Sequence, residues 1–284
     1  MWSYIDTKLI LIFMDKLHFG TAGVPASSKK SSTVHGIKRV AELDLDCMEI
    51  EFVYGVRMGA QSAEKVNQAS LENSVRLSVH APYYVNLNSK EEEKRKKSIE
   101  RIVKSSIVGK ACGADRVTFH PAFYHDDEVK CYDNVLKSMH EILEQSQVGI
   151  KLCPETTGKL SAFGTISELL RLASDLPGIG ICVDFAHVYS RSLGKINSYK
   201  GFAKIIEKIY KKLPDYGENV YFHVSGIDYG PRGELKHLPL EESNFNWQEL
   251  LQVFRYFDLK GIVICESPVQ EYDALKLKQY YRRL

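Results

Sequence analysis

Short apolar segments that each end in an imidazole or a carboxylate recur along this chain, and they constrain its fold more than any other feature. The candidate ligands are His80 in RLSVHAP, His120 in RVTFHPAF, Glu155 in GIKLCPETT, Asp184 and His187 in GICVDFAH, His223 in VYFHVSG, His237 in GELKHLPL and Glu266 in GIVICESP. We interpret GELKHLPL as a loop and the other segments as buried strands that end in a polar turn. His187 is expected in the loop just past its strand. Such side chains converge when the strands lie parallel in one barrel.

A strand-then-helix order repeats along the chain. Near-continuous apolar runs, typical of strands buried on both faces, predict strands at 17–20, 47–53, 75–80, 116–120, 149–155, 180–184, 220–225 and 261–266. Between them, apolar residues recur at the three- and four-residue spacing of helices. Eight such units predict an α/β fold, a (β/α)8 TIM barrel. We expect a single barrel domain over residues 16–284, preceded by an N-terminal extension at 1–15.

The composition places few limits on partners. The formal net charge of +2 neither demands nor excludes nucleic acid, because a local basic groove can lie on a balanced protein. The six cysteines occur singly, without a CxxC pair, which predicts reduced thiols and a cytoplasmic protein. The apolar run from Leu9 to Met14 is far shorter than the roughly 20 residues of a membrane span. No small-residue cleavage site follows it, so we expect neither a membrane partner nor a signal peptide.

Imidazole and carboxylate groups are the ligands that zinc and its neighbours prefer. One zinc ion takes three or four ligands, so eight candidates at one barrel mouth predict two or three ions. Zinc is the expected metal and manganese the alternative. Clustered ions about 3.5–4 Å apart activate water and stabilise the attacking and leaving oxygens of a phosphoryl displacement. The sequence therefore predicts metal-assisted phosphodiester hydrolysis, with Glu155 as the bridging carboxylate and Glu155 and Glu266 as the catalytic pair.

The remaining histidines carry weaker signals. His18 lies within the first predicted strand, where packing or a supporting contact to a ligand is expected. His35, His125 and His140 fall in helix or loop contexts and are assigned no role.

Taken together, the motifs resemble the endonuclease IV family of apurinic/apyrimidinic endonucleases. The motifs are SVHAPYYVNL, FHPAF, PETTGK, CVDFAH, HVSG, KHLPL and CESP, and the resemblance runs from Gly20 to Pro268. It implies a xylose-isomerase-like barrel with a trinuclear zinc site. It also implies an endodeoxyribonuclease that cuts double-stranded DNA on the 5′ side of an abasic site and leaves a 3′-hydroxyl. We expect the protein to act as a monomer.

The resemblance also implies a division of the ligands among three ions. His80 and His120 would share the first zinc with Glu155. Glu155 would bridge to a second zinc, which Asp184, His223 and Glu266 complete. His187 and His237 would hold the third.

One position departs from the family pattern. The family places an aspartate two residues before the histidine matched by His237, whereas this chain has Leu235 there. Glu234 is the first candidate to replace it and Asp228 the second. Gly226 also stands where an acidic residue often follows the HVS motif. The sequence therefore leaves open whether two or three ions bind.

The resemblance also points to residues that would contact DNA. Tyr83 and Tyr84 match the loop that the family inserts into the duplex at the lesion. A ring that stacks where a base is missing contributes about 1–3 kcal/mol. Packing over the barrel mouth is the alternative role for these tyrosines. Arg57, Arg191 and Lys195 are candidates for backbone contacts, although exposed basic residues are also ordinary surface.

Two other functions stay open at this point. A sugar isomerase or epimerase of the same fold class would bind one metal through Glu155, Asp184, His223 and Glu266 alone. The additional histidines argue against it, because a single-metal enzyme has no use for them and isomerases favour magnesium or manganese in oxygen-rich shells. The other alternative, suggested by Leu235, is a protein that binds damaged DNA without cleaving it.

Overall fold

The computed structural model describes residues 16–125 and 127–284. In chain order its strands are β1 (Leu17–Ala22), β2 (Cys47–Glu51), β3 (Arg76–His80), β4 (Arg116–Phe119), β5 (Ala122–Phe123), β6 (Lys151–Pro154), β7 (Ala162–Phe163), β8 (Val183–Asp184), β9 (Val220–Val224), β10 (Gly226–Gly230), β11 (Gly233–Leu238) and β12 (Gly261–Cys265). The helices are α1 (Thr33–Glu42), α2 (Ala60–Asn73), α3 (Glu92–Ala111), α4 (Glu128–Ser146), α5 (Ile166–Asp175), α6 (Phe185–Arg191), α7 (Tyr199–Tyr210), α8 (Trp247–Tyr256) and α9 (Glu271–Arg282). The N-terminal extension predicted for 1–15 lies outside the described residues.

Eight parallel strands form one sheet, in the spatial order β6-β4-β3-β2-β1-β12-β9-β8. The sheet closes between β6 and β8, where Glu155 forms a parallel bridge with Cys182. At the same seam, the Cys182 N–H donates to the Pro154 carbonyl at 3.0 Å. The predicted TIM barrel is therefore confirmed. In a closed parallel barrel the carboxyl ends of all strands meet at one rim.

The helices cover the outside of the barrel with their apolar faces. In α1, for example, Ile37 and Val40 are fully buried on one face. The start of α5 is stabilised by a capping box, in which the Glu168 N–H donates to Thr165 Oγ1 and the Thr165 N–H donates to Glu168 Oε2. No helix among the described residues is long and apolar enough to cross a membrane.

A second, smaller hydrophobic cluster lies apart from the large cluster that the strands and helices share. It consists of buried side chains contributed by the barrel strands and the β6–β8 seam, namely Cys47, Cys153, Cys182, Tyr221, Ile262 and Ile264. Side chains two residues apart on a strand point to the same face. Each of four candidate ligands follows a member of this core by two residues: Glu155 after Cys153, Asp184 after Cys182, His223 after Tyr221 and Glu266 after Ile264. The strand period therefore carries these groups along the inner face to the carboxyl rim.

The structure corrects two elements of the sequence analysis. GELKHLPL, predicted as a loop, contains strand β11, which pairs antiparallel with β10. The two strands of this hairpin form backbone hydrogen bonds with each other outside the barrel sheet. The residues of β11 are half-exposed, so the segment lacks the apolar run by which we recognised strands. His187, predicted in a loop, lies in the first turn of α6. The Asp184 side chain, which accepts the His187 N–H at 2.7 Å, caps that helix directly at the end of β8.

Candidate metal centre

The predicted ligands converge at the carboxyl rim, carried there by six barrel strands, helix α6 and the β10–β11 hairpin. By themselves they form three overlapping groups, and a fourth group joins Glu155 and His223 to Cys182; within each group the ligand atoms lie no more than 4.8 Å apart. The three groups made of predicted ligands alone are His80, His120 and Glu155; Glu155, Asp184, His223 and Glu266; and Asp184, His187 and His237. All eight predicted ligands belong to at least one of these groups. Within the three groups of predicted ligands, Glu155 and Asp184 each belong to two.

Glu155 lies at the centre of the cluster and is fully buried. Its Oε2 is 3.2 Å from His80 Nε2 and 3.5 Å from His120 Nε2. Its Oε1 is 3.2 Å from His187 Nδ1 and 3.4 Å from His223 Nδ1. One carboxylate thus faces different ligand groups with its two oxygens, which is the geometry of a bridging ligand.

Contacts behind the imidazoles orient three of them. The Nδ1 atoms of His80 and His187 lie 2.6 Å and 2.9 Å from the carbonyls of Ala81 and Thr156. A carbonyl only accepts, so these nitrogens keep a ring hydrogen, and Nε2 is the nitrogen that can give up its proton and bind a metal ion. His237 Nδ1 is similarly bonded to Ser225 Oγ at 2.5 Å. Supporting contacts of this kind are what fix the tautomer of a metal-binding histidine.

Several buried polar atoms in this cluster have no hydrogen-bond partner among the described residues. They are Glu155 Oε1, Asp184 Oδ2, His187 Nε2 and both ring nitrogens of His223. Buried polar groups are normally satisfied, and an unpaired buried charge costs several kcal/mol. Nitrogen and oxygen donors in this arrangement suit zinc. The donor set therefore fits divalent cations.

Mutual electrostatics perturb these groups strongly in the metal-free protein. Burial alone would lower the pKa of His80, but Glu155 and Glu51 raise it to about 10. Burial alone would raise the pKa of Glu155, but His223 and His120 hold it well below its usual range. Burial also raises the pKa of Asp184 to about 6. Protons on the imidazoles thus supply the positive charge that metal ions would otherwise supply.

Two carboxylates that the sequence analysis left unassigned also lie at the site. Glu49 is fully buried in β2 beneath the rim. Glu51, two residues further along the same face, lines a cavity of about 180 Å3 together with Tyr83, His120 and Glu266. Burial raises the pKa of Glu51 to about 8. The available signal was CMEIEF, in which acids alternate with apolar residues inside a run that is otherwise buried.

Comparison with known proteins gives the family. The model of the family described as xylose isomerase-like TIM barrel matches residues 37–284. The chain belongs to this family. An uncharacterised protein of Methanocaldococcus jannaschii is 43% identical over 274 residues, which span 94% of this chain and 98% of that relative.

Other relatives and structural neighbours are named as endonuclease IV or as an epimerase-like protein. A protein of Mycoplasma pneumoniae named "Probable endonuclease 4" is 23% identical over 203 residues, 69% of each chain. Endonuclease IV from Thermus thermophilus superimposes with a TM-score of 0.71 at 18% identity, covering 94% of this chain and 98% of that one. A D-tagatose 3-epimerase-like protein superimposes with a TM-score of 0.69 at 22% identity, covering 93% and 96%. The predicted resemblance is confirmed, while the two superpositions establish the fold alone.

A β-bulge decides which acid lies near the third ligand group. Asp228 pairs with Lys236 and Tyr229 pairs with Glu234, so Leu235 is the extra residue. A bulge resets the alternation of side chains, and it turns Glu234 to the same side as His237. Glu234 Oε2 lies 3.5 Å from His187 Nε2, whereas Leu235 is 63% exposed. The structure therefore places Glu234, and not Leu235, beside His187.

The loop after β6 makes room for this arrangement. The Glu234 N–H donates to the Gly158 carbonyl at 3.1 Å, and Gly233 pairs with Lys159. A side chain at Gly158 would meet Glu234 Cβ at 2.7 Å. The glycine of PETTGK is thus required by the close approach of the hairpin.

The predicted DNA-contacting residues lie in different environments. Tyr83 is 59% exposed at the mouth and meets Tyr84 edge to face, with ring centroids 5.2 Å apart. The Arg101 guanidinium lies 4.4 Å from the centre of the Tyr84 ring, which holds Tyr84 in place. Arg57 is exposed on the loop after β2. Arg191 is half-buried, and its Nη1 donates to the Ala162 carbonyl at 2.8 Å, so it braces the loop after β6. DNA contacts by these residues stay a prediction.

Proposed function

We propose that this protein is a metal-dependent endodeoxyribonuclease that cuts the DNA backbone on the 5′ side of abasic sites. The observation that carries the proposal is the set of three overlapping ligand groups, which offers more donors than one ion takes. Relatives named "Probable endonuclease 4" support it. A cluster of two or more divalent ions suits phosphodiester displacement better than any reaction of a sugar carbonyl.

When bound, zinc ions would supply activated water and stabilise the negative charge that develops on the phosphate oxygens. The residues of the chain position them. Glu155 and Asp184 connect neighbouring ligand groups, and His80 and His120 complete the first. The carbonyls of Ala81 and Thr156 hold imidazoles in one orientation. Because these partners are backbone atoms of the barrel rim, the ligand geometry is preorganised before any substrate binds.

The shape of the mouth suits a nucleotide without a base. The cavity of about 180 Å3 above the ligands is smaller than the roughly 300–1,000 Å3 of typical ligand pockets. An abasic nucleotide is already unpaired, so extruding it from the duplex costs little. Tyr83 lines the cavity and remains exposed, where its ring can stack on the neighbouring bases. We infer that the sugar phosphate enters the cavity while the duplex rests on the rim.

Replacing Tyr83 by alanine is expected to raise KM for an abasic duplex about 10- to 100-fold, because one stacking contact contributes about 1–3 kcal/mol. Metal content should not change, since Tyr83 lies outside the ligand groups. Steady-state incision kinetics measure the effect. Tyr256→Ala serves as the matched control, because that tyrosine is 73% exposed at the carboxyl end of α8, far from the mouth. Equal KM values for the two variants would remove Tyr83 from the DNA interface.

Replacing Glu234 by glutamine is expected to lower the zinc content by about one ion per chain, because the third group would lose its charged oxygen near His187. Leu235→Ala is the control, since Leu235 is exposed and lies in the bulge. Elemental analysis of both purified variants measures the change. A full complement of metal in Glu234→Gln would show that the relocated carboxylate is not a ligand.

A single-metal epimerase is the second candidate function. The group of Glu155, Asp184, His223 and Glu266 suffices for one divalent ion, and a D-tagatose 3-epimerase-like protein shares the fold. His80, His120, His187 and His237 would have no role as ligands in such an enzyme. Their placement in contiguous ligand groups is why the nuclease is preferred.

Elemental analysis combined with two activity assays separates the candidates. The nuclease predicts two or three zinc ions per chain and a 5′ nick opposite an intact strand in an abasic duplex. The epimerase predicts one manganese or magnesium ion and conversion of D-tagatose or D-fructose. Tight binding of the abasic duplex without a nick, with metal bound, would instead indicate a non-cleaving binder and would overturn the nuclease.

A further inference from the structure

Glu49 is a fully buried carboxylate in the barrel interior that belongs to none of the ligand groups of the described residues. It extends from β2 toward two other strands. Its Oε2 accepts a hydrogen bond from Ser78 Oγ on β3 at 2.7 Å and another from the Tyr221 hydroxyl on β9. Two donors directed at one carboxyl oxygen favour the charged form of such a group. An ionised carboxylate at this depth requires a compensating partner.

The partner is His223. Glu49 Oε1 lies 3.2 Å from His223 Nε2. Both atoms are buried, and neither forms a hydrogen bond among the described residues, so the short approach is an ion-pair contact. Since the carboxylate can only accept, the contact is favourable only when the hydrogen of the ring is on Nε2.

The other nitrogen of the same ring faces the ligands. His223 Nδ1 is 3.2 Å from Glu266 Oε1 and 3.4 Å from Glu155 Oε1. When the ring is neutral and its hydrogen is on Nε2, Nδ1 presents a lone pair to the centre of the second ligand group. The opposite tautomer would point an N–H into that group and exclude a cation.

We propose that Glu49 is a positioning residue that sets the tautomer and orientation of His223 for metal binding. Glu49 contacts His223 from the barrel interior. Backbone carbonyls fix the tautomers of His80 and His187 in the same way. Ser78 and Tyr221 hold the carboxylate itself in place, so the arrangement is a chain from the barrel interior to the metal. This inference rests on the proposed function only in requiring that a metal binds, not in requiring that DNA is cut.

The decisive variant is Glu49→Gln, which keeps the size of the side chain. Its amide oxygen can still accept from Ser78 and Tyr221, but its NH2 group then faces His223 Nε2 and favours the tautomer that cannot bind metal through Nδ1. We expect zinc affinity to fall about 10- to 100-fold, as on loss of other supporting contacts to metal ligands. Competition with a chromophoric zinc chelator measures the affinity. Ser78→Ala is the matched control: it removes a hydrogen bond to Oε2, leaves the contact with His223 in place, and should change affinity about 3-fold at most.

A direct measurement keeps the inference testable even if the variant folds poorly. Long-range proton–nitrogen NMR spectra of the zinc-loaded wild-type protein report which nitrogen of His223 carries the hydrogen, with His223→Gln identifying the signal. The expected result is a protonated Nε2 and a metal-bound Nδ1. A protonated Nδ1, or wild-type zinc affinity in Glu49→Gln, would overturn the role of Glu49. Zinc binding with this tautomer but without incision would overturn only the nuclease.

Discussion

Replacing Glu155 by glutamine is expected to reduce incision of an abasic duplex by about 10³-fold or more while leaving the barrel folded, because the ions then lose their shared carboxylate. Glu155 is the residue whose two oxygens face different ligand groups, at 3.2 Å from His80 Nε2 and 3.4 Å from His223 Nδ1. Glutamine keeps the shape but replaces one charged oxygen by an NH2 group, which cannot bind a cation. The variant should therefore also contain less metal than the wild type.

Single-turnover incision, elemental analysis and circular dichroism together measure the three parts of this expectation. Glu144→Gln is the matched control, since Glu144 is exposed on α4, and it should behave as wild type. A Glu155→Gln protein that cuts at a near-normal rate with a full complement of metal would refute the bridging role.

Removing the metal is expected to lower the Tm by about 10 °C or more. One ion at a free concentration about 1,000 times its Kd stabilises a fold by roughly 4 kcal/mol, and about 1 kcal/mol shifts Tm by roughly 2–4 °C in domains of about 150–250 residues. The ligands Glu155, Asp184 and His223 are fully buried, so their charges cannot be screened by water once the ions leave. Thermal unfolding before and after chelation, with zinc added back as the reversal, measures the difference.

The difference in Tm between the metal-bound and the metal-free protein should depend on pH. In the metal-free protein, the pKa of His80 is raised to about 10 by Glu155 and Glu51 against the effect of burial, and those of His187 and His223 are also raised. A histidine with a raised pKa stabilises the fold below its unfolded pKa, near 6.5, and the contribution is lost as pH rises toward the folded value. Burial raises the pKa of Glu51 to about 8, and an acid shifted in this way also costs stability as pH rises from about 4.5 to 8.

Both effects predict that the metal-free protein loses stability between about pH 6.5 and 8, and the histidine effect continues to about pH 10. The metal-bound protein should not, because metal binding strengthens as imidazoles deprotonate. The Tm difference between the two forms should therefore widen over that range. A difference that stays constant, or narrows, would mean that the imidazoles do not exchange protons for metal.

Sequence patterns were sufficient to predict the barrel and most of the ligand cluster. Buried parallel strands appear as apolar runs, and a ligand at the end of each run must lie at the rim because all strands in such a barrel end there. That reasoning brought together His80, Glu155 and Glu266 without any knowledge of distances. It failed for the hairpin that carries His237, because β11 is half-exposed and has no apolar run.

The replacement for the missing aspartate shows where sequence reasoning stopped. Glu234 and Asp228 were both candidates by spacing. Only the pairing of β10 with β11 reveals that Leu235 is a bulged residue, and that Glu234 consequently faces His187. A bulge changes which side chains share a face without changing the composition of the strand, so spacing alone could not select between them.

The sequence by itself determined the parallel barrel, the family resemblance and the eight ligands at its rim, because strand period and burial are local properties of the chain. Only the tertiary structure decided which atoms face each other. It grouped the ligands around Glu155 and Asp184, selected Glu234, and placed Glu49 behind His223. Contacts between residues as distant in the chain as Glu49 and His223 depend on the register of the strands around the barrel, and no local pattern encodes that register.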